Sequence, residues 1–255
     1  MARFRKIAFL ASQTEAAQRN LAALEARYGH VPPVGADVIV ALGGDGFMLE
    51  TLHGHQSLGR PIYGMNCGTV GFLMNEFQSE ALTDRLEEAE EVYLNPLRMR
   101  ATRPDGSTAE ALAINEVSLL RAGPQAAKLR ISVDGKVRLE ELVCDGALVA
   151  TPAGSTAYNY SAHGPILPIG ADVLALTAVA AYRPRRWRGA LVPTTSTVRL
   201  EAINPEKRPV MAEGDSRGVG IVTSVEIMSE PAITHRILFD PDHGLEERLI
   251  REQFF

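Results

Sequence analysis

The run Val38-Ile39-Val40-Ala41-Leu42-Gly43-Gly44-Asp45-Gly46 decides how the first part of the chain folds. An unbroken apolar stretch, here within a strand read from Asp37 to Leu42, suits a strand covered on both faces, as in a parallel sheet. The glycines after it let the backbone approach a ligand closely and leave N–H groups free beside a helix, expected from Phe47 to about His55. Gly43, Gly44 and Gly46 then form a phosphate loop with the Asp45 carboxylate inside it. The plainer alternative is a glycine-rich strand-to-helix turn with Asp45 as N-cap. Either way, Asp45 lies at the carboxyl end of a strand, where open α/β sheets bind ligands.

Outward from this loop the alternation repeats. Ile7 to Ala11 reads as a strand, and Thr14 to Tyr28 carries Ala17, Leu21, Leu24 and Tyr28 on one helical face, with Gly29 as stop signal. Beyond the loop come a strand over Pro61 to Met65 and a helix over Glu80 to Glu91 with Ser79 as N-cap. The order βαβαβα defines an α/β domain with an open, Rossmann-like parallel sheet, residues 1–96.

After Asn95-Pro96 the period changes to two. Leu129, Ile131 and Val133 alternate with polar residues, Asp134-Gly135 is a hairpin turn, and Val137 and Leu139 continue the alternation on the return. Further strands are expected at Leu112 to Leu120, Gly146 to Thr151, Thr197 to Ala202, Val210 to Ala212 and Val219 to Met228, with a helical island at Val173 to Ala181. Residues 97–238 therefore read as a mostly-β domain built like a β-sandwich. The tail, residues 239–255, has helical spacing at Leu245, Leu249 and Ile250. It is expected to pack back on the α/β domain and bury Phe254 and Phe255.

Composition narrows the classes. A chain of 255 residues with 45% hydrophobic content can fill ordinary cores. The basic start Met1-Ala2-Arg3-Phe4-Arg5-Lys6 precedes an apolar run too short for a signal peptide, and the stretch Val173 to Tyr182 is about half of the ~20 residues a membrane span needs. Cys67 and Cys144 make neither a disulfide framework nor a zinc pattern, which suits the cytoplasm. A net charge of −5 argues against a nucleic-acid surface. A phosphorylated small ligand stays open, because backbone N–H groups and a metal ion make a local phosphate site. Arg183, Arg185, Arg186 and Arg188 around Trp187 read as an exposed loop, solvated or at a subunit interface, with contact to a phosphate as the alternative. His30, His53, His55, His235 and His243 lack metal-ligand spacing and read as surface residues.

Three further clusters carry chemistry. Gly64-Met65-Asn66-Cys67-Gly68-Thr69-Val70-Gly71-Phe72-Leu73 repeats the strand-to-glycine arrangement, as a second wall of the same crevice or as a turn anchored by Phe72 and Leu73. Asn115-Glu116 interrupts an apolar strand; an amide can read a base edge, and a carboxylate can accept from both hydroxyls of a ribose. The plainer reading is a solvent-facing pair, although alternation would turn only one of the two outward. Asp145-Gly146 leads through a strand to Thr151-Pro152-Ala153-Gly154-Ser155-Thr156-Ala157-Tyr158-Asn159-Tyr160-Ser161 and on to Gly164-Pro165-Ile166. There a turn opens a short helix capped by Ser155 or Thr156, gathering N–H groups, hydroxyls and an aromatic ring within one turn.

In order and approximate spacing these clusters closely resemble the NAD kinases. The resemblance runs from Val38 to about Ile169, and Asp240 to Phe255 looks like the bacterial members. Gly43 to Gly46 alone is shared with diacylglycerol- and sphingosine-type lipid kinases and with phosphofructokinases, whereas Thr151 to Pro165 is far more selective. The resemblance implies ATP- and Mg²⁺-dependent phosphorylation of the 2′-hydroxyl on the adenosine ribose of NAD, giving NADP; whether polyphosphate replaces ATP is not fixed by the sequence. It implies that Asp45 takes the proton from that hydroxyl, that Gly46 lies against the same ligand, and that Asn115 and Glu116 hold the adenosine end. Asp145 would lie on the nicotinamide side, and Ala153, Thr156, Ala157, Tyr158, Asn159, Tyr160 and Ser161 would surround the dinucleotide, Tyr158 packing against a base. Two positions depart from the family pattern: Val143-Cys144 stand where an Arg usually precedes Asp145, and His163 stands where Gly is usual.

Because Asp45 falls in the α/β half and the other clusters in the β half, the site is expected in the cleft between them. The resemblance adds a homodimer or homotetramer built through the β-rich domain. The competing readings are a lipid kinase of the diacylglycerol type and a non-catalytic dinucleotide sensor.

Overall fold

This computed structural model describes residues 3–68, 71–185, 187–241, 244–252 and 254; Thr69, Val70, Arg186, His243 and Phe255 from the sequence reading lie outside them. The chain divides into two compact units, Met1–Leu94 with Thr234–Phe255, and Asn95–Ile233.

The first unit begins β1 (Ile7–Ala11), α1 (Glu15–Tyr28), β2 (Val38–Gly43), α2 (Asp45–Gly54), β3 (Ile62–Asn66), α3 (Leu82–Glu88) and β4 (Glu90–Leu94). Strands β1, β2 and β3 pair in parallel. Every residue of β2 is buried, the environment its unbroken apolar run requires. Thr14 caps α1 by accepting from the Ala17 N–H, and Gly29 at φ 73 ends it. The helix expected over Glu80 to Glu91 is shorter. It ends at Glu88, its N-cap is Ala81 rather than Ser79, and Ser79 Oγ donates to Glu80 instead. The chain then extends at once into β4, an edge strand that the helical reading had absorbed.

The second unit runs β5 (Leu97–Thr102), β6 (Thr108–Ala113), β7 (Glu116–Arg121), β8 (Ala127–Val133), β9 (Lys136–Cys144), β10 (Gly146–Ala150), α4 (Tyr158–Ser161), β11 (Val173–Val179), β12 (Gly189–Pro193), β13 (Val198–Ala202), β14 (Val210–Gly214), β15 (Arg217–Val222) and β16 (Ser224–Ser229). Two six-stranded sheets result, ordered β12-β11-β10-β7-β14-β15 and β6-β5-β16-β13-β8-β9. Their inner faces share one core, with Val117, Val149 and Leu176 from the first sheet and Met99, Leu129 and Ile227 from the second. The β8–β9 hairpin turns at Asp134 and Gly135, φ 52 and 73, as the Asp-Gly pair demands.

Three expectations change here. Leu112 to Leu120 is not one strand but the end of β6 and the start of β7, which belong to different sheets, with the corner at Ile114-Asn115. Val219 to Met228 likewise crosses between sheets at Thr223. Period-two alternation continues through such corners, so the pattern alone does not reveal them. Val173 to Ala181 is not helical: β11 pairs with β10 and β12, and its burial on both sides suits Val173, Thr177 and Val179.

The last elements return to the first unit. Strand β17 (His235–Phe239) lies parallel to β3 and antiparallel to β4, giving the order β1-β2-β3-β17-β4. The boundary read at residue 238 thus falls at Ile233. His235, read as a surface residue, is 4% exposed, its ring edge-on to His53. Helix α5 (Leu245–Glu252) buries Leu245 and Leu249, but Phe254 is 86% exposed rather than buried. Among the described residues no helix is long and apolar enough to cross a membrane.

Candidate functional site

In the first unit the chemistry centres on Asp45. Gly44, extended at φ −120, is the N-cap of α2, so Asp45 is the first helical residue rather than the cap, and no side chain caps this turn. Its carboxylate turns toward the loop after β3, where Oδ2 accepts from the Phe72 N–H at 2.7 Å and Oδ1 from the Leu73 N–H at 2.8 Å. A Cβ on Gly71 would lie 2.7 Å from Met74 Cγ and 3.3 Å from Asp45 Oδ1, so glycine is what lets the loop come this close. Gly43, at the end of β2, is buried, Gly44 half-buried and Gly46 exposed.

Buried Asn75 fixes that loop. Its Nδ2 donates to the Gly64 and Leu238 carbonyls, each at 3.0 Å, and its Oδ1 accepts from the Asp240 N–H. Asp240 in turn accepts from the Tyr63 hydroxyl at 2.6 Å and pairs with Arg85. Burial pushes the Tyr63 phenol well above its ordinary range. A cavity of about 550 Å³ opens beside the loop, lined by Asn66, Gly68, Gly71, Phe72, Arg248 and Arg251 among others.

In the second unit the sheet corner is the organising feature. Thr151 Oγ1 donates to the Ile114 carbonyl at 2.7 Å and accepts from the Gly154 N–H, while the Thr151 N–H donates to the Asn115 carbonyl. A Cβ on Gly154 would fall 2.2 Å from the Asn115 carbonyl oxygen, so the turn rests directly on the corner backbone. Ser155 is not a helix cap; its hydroxyl donates to the Pro152 carbonyl and accepts from the Leu167 N–H. Nor is Thr156, since α4 starts after Ala157 with no side-chain cap. Buried Asn159 spends its side chain inside the fold, on the carbonyls of Ser155 and Pro165 and on the Thr177 hydroxyl. Ala153 is buried, Thr156, Ala157 and Tyr158 are half-buried, and Tyr160 and Ser161 are exposed.

The corner brings Asn115 and Glu116 beside this turn, both of them half-buried. Asn115 Oδ1 and Glu116 Oε2 are buried with no hydrogen-bond partner among the described residues. Burial, and then the nearby Asp215 charge, push the Glu116 carboxyl up to about 7, with the Tyr158 N–H pulling the other way. Asp215 went unnoticed in the sequence, where Gly214-Asp215-Ser216 looks like any hairpin turn. From left-handed backbone at φ 48 its carboxylate accepts from the N–H groups of Ile114, Asn115 and Glu116. Asp145 pairs with Arg121 at 2.6 Å, and burial, with Glu116, Asp145 and Glu213, raises the Tyr158 hydroxyl. Arg183, Arg185 and Arg188 are exposed, whereas Trp187 packs against the sandwich core.

A glycine-flanked carboxylate ends a buried parallel strand in the first unit, and the sandwich holds buried acceptors with no hydrogen-bond partner among the described residues, features expected of a kinase acting on a nucleotide. Family models agree: residues 6–91 match the ATP-NAD kinase N-terminal domain and residues 114–220 the ATP-NAD kinase C-terminal domain. The chain is 70% identical over 249 residues to an NAD kinase of Cereibacter sphaeroides, covering 98% of each. Among solved structures, an NAD kinase from Archaeoglobus fulgidus in complex with ATP is 25% identical at TM-score 0.74, covering 98% of this chain and 97% of that one. Yeast NADH kinase complexed with NADH shares the fold at TM-score 0.83 and 21% identity, over 99% of this chain and 88% of that chain. The chain belongs to the ATP-NAD kinase family.

Proposed function

We propose that this chain transfers the terminal phosphoryl group of ATP to the 2′-hydroxyl on the adenosine ribose of NAD, giving NADP. The observation that carries the reading is the Asp45 carboxylate, aimed by two backbone N–H groups at the start of an uncapped helix. Each of its oxygens keeps acceptor capacity beyond the bond it makes. As the ribose oxygen bonds to phosphorus, its proton passes to Asp45, and the bond to the leaving ADP breaks with its electron pair. Moderate basicity is enough, because deprotonation can lag behind P–O cleavage in a loose transition state. The N–H groups around Gly44 and Gly46 face the donor phosphates from the α2 N-terminus.

Glu116 and Asn115 hold the adenosine end. The ribose hydroxyls and the base supply the donors that the buried oxygens of these two side chains lack. Tyr158 packs against a base, Asp145 serves the nicotinamide side, and Ala153, Thr156, Ala157, Tyr160 and Ser161 form the wall, with Asn159 holding its shape. Among the described residues no three His, Cys, Asp or Glu side chains come together to hold a metal ion. The Mg²⁺ would travel on the donor's phosphate oxygens, where it would offset charge during transfer. A cytoplasmic address and a homodimer or homotetramer complete the proposal.

The test is a coupled assay of the purified chain with ATP, Mg²⁺ and NAD, with diacylglycerol and no-acceptor controls. NADP should appear with NAD alone. Phosphorylated lipid without NADP would replace this reading with the lipid kinase.

A further inference from the structure

We infer that Arg248 is a positioning residue for the phosphoryl transfer, holding in place the two peptide planes whose N–H groups orient Asp45. Helix α5 is anchored by buried Leu245 and Leu249, which sets Arg248 against the loop after β3. One guanidinium nitrogen, Nη1, donates to the Gly71 carbonyl at 3.2 Å, to the Phe72 carbonyl at 3.0 Å and to the Met74 carbonyl.

The first two acceptors matter most. The Gly71 carbonyl and the Phe72 N–H belong to one peptide unit, and the Phe72 carbonyl and the Leu73 N–H to the next. In a trans peptide the C=O and N–H point to opposite sides. Each unit therefore offers its oxygen to Arg248 and its N–H to Asp45. Fixing the oxygens fixes the direction of the N–H groups, and a cationic donor on the carbonyl strengthens the N–H as a donor. The guanidinium sits 5.4 Å from the Phe239 ring centroid, which supports it from β17. Burial pulls the Arg248 pKa below its ordinary value while the Asp45, Asp240 and Tyr63 groups push it back. The inference rests on Asp45 being the base.

The experiment compares Arg248→Ala, Arg248→Lys, Asp45→Asn and the Arg248→Ala/Asp45→Asn double variant for kcat, for KM toward NAD and for thermal unfolding. Misplacing a reacting group by about 1 Å can cost ~10² in rate, so Arg248→Ala should lower kcat about 10- to 100-fold with KM for NAD within about twofold. Arg248→Lys, which keeps a cation able to reach carbonyls, should recover part of the loss. In the Asp45→Asn background, removing Arg248 should change kcat by less than about twofold, because the group it orients is gone. A parental kcat in Arg248→Ala alongside an inactive Asp45→Asn overturns the inference, as does an equal loss in both backgrounds. An active Asp45→Asn instead overturns the base reading and takes this inference with it. Should Arg248→Ala not fold, Arg248→Lys carries the test: a lowered kcat at unchanged KM supports the inference, and parental kinetics refute it.

Discussion

Asp45 in the first unit and Glu116 in the second are both half-buried carboxylates beside a glycine turn, and the fold treats them in opposite ways. Asp45 receives two backbone N–H groups, on separate oxygens, from a loop that glycine brings near. Glu116 has an oxygen buried without a partner among the described residues, a second carboxylate nearby and a pKa pushed up to about 7. A group that must receive a proton from a fixed direction needs orientation, which N–H donors supply. A group that recognises hydroxyls needs unmet acceptors, whose desolvation cost is offset when the ligand arrives. The two arrangements therefore suit different tasks, and each can be broken separately.

The largest effect is expected at Asp45. Asp45→Asn keeps the shape, but its amide offers one acceptor oxygen and is no base, so transfer should fall by ~10² to 10⁴ while NAD still binds. Turnover and equilibrium NAD binding on the same preparation check this. Activity within a few-fold of the parent would remove Asp45 from the chemistry.

A smaller effect is expected at Asp215, which supports the second carboxylate's corner. Asp215→Ala strips the acceptor from the N–H groups of Ile114, Asn115 and Glu116. Leaving such donors unmet costs about 1–3 kcal/mol, which for a chain of this size is a fall in Tm of roughly 2–10 °C. Removing the charge should also move the Glu116 titration below about 7, since Asp215 is one of the two causes that raise it. An unchanged Tm together with an unchanged pH profile would show the corner to be held by β7 pairing alone.

How far the sequence was legible follows from the kind of signal each part carries. The β2 run and Gly43 to Gly46 could be read directly, because burial on both faces and a sharp strand-to-helix turn each demand particular residue types at adjacent positions. The Asp134-Gly135 hairpin was legible for the same reason. Long-range partners leave no such mark. Asp215 reaches Asn115 across 100 positions and Arg248 reaches Phe72 across 176, and nothing beside either residue announces the contact. The corner at Ile114-Asn115 hid inside an unbroken alternation, and β11 passed for a helix because a short apolar run fits either element until its neighbours are known. Phe254 failed differently: burial was inferred from what an aromatic would gain, without any partner to bury it against.

The finest test of the comparison is the pH dependence of Glu116. Its carboxyl is raised from an ordinary 4.5 to about 7, so in the ligand-free protein it holds a proton that the unfolded chain has released. Its contribution to stability is therefore fully present below 4.5 and declines as pH rises toward about 7, because over that window the folded state binds the extra proton. NAD binding runs the other way. Accepting from two ribose hydroxyls needs the ionised form, whose population rises about tenfold between pH 6 and pH 8 for a group titrating near 7, so KM for NAD should fall by up to that factor. Glu116→Gln has no such titration and one acceptor oxygen fewer. Its KM should be flat across this range, about tenfold above the parent at pH 8, where one charge-assisted hydrogen bond is lost, and within about twofold of it at pH 6. The measurement is KM for NAD across pH 6 to 8 for both proteins at saturating ATP. A parent profile as flat as the variant's would mean that Glu116 does not grip the ribose as a carboxylate, and the contrast with Asp45 would then rest on geometry alone.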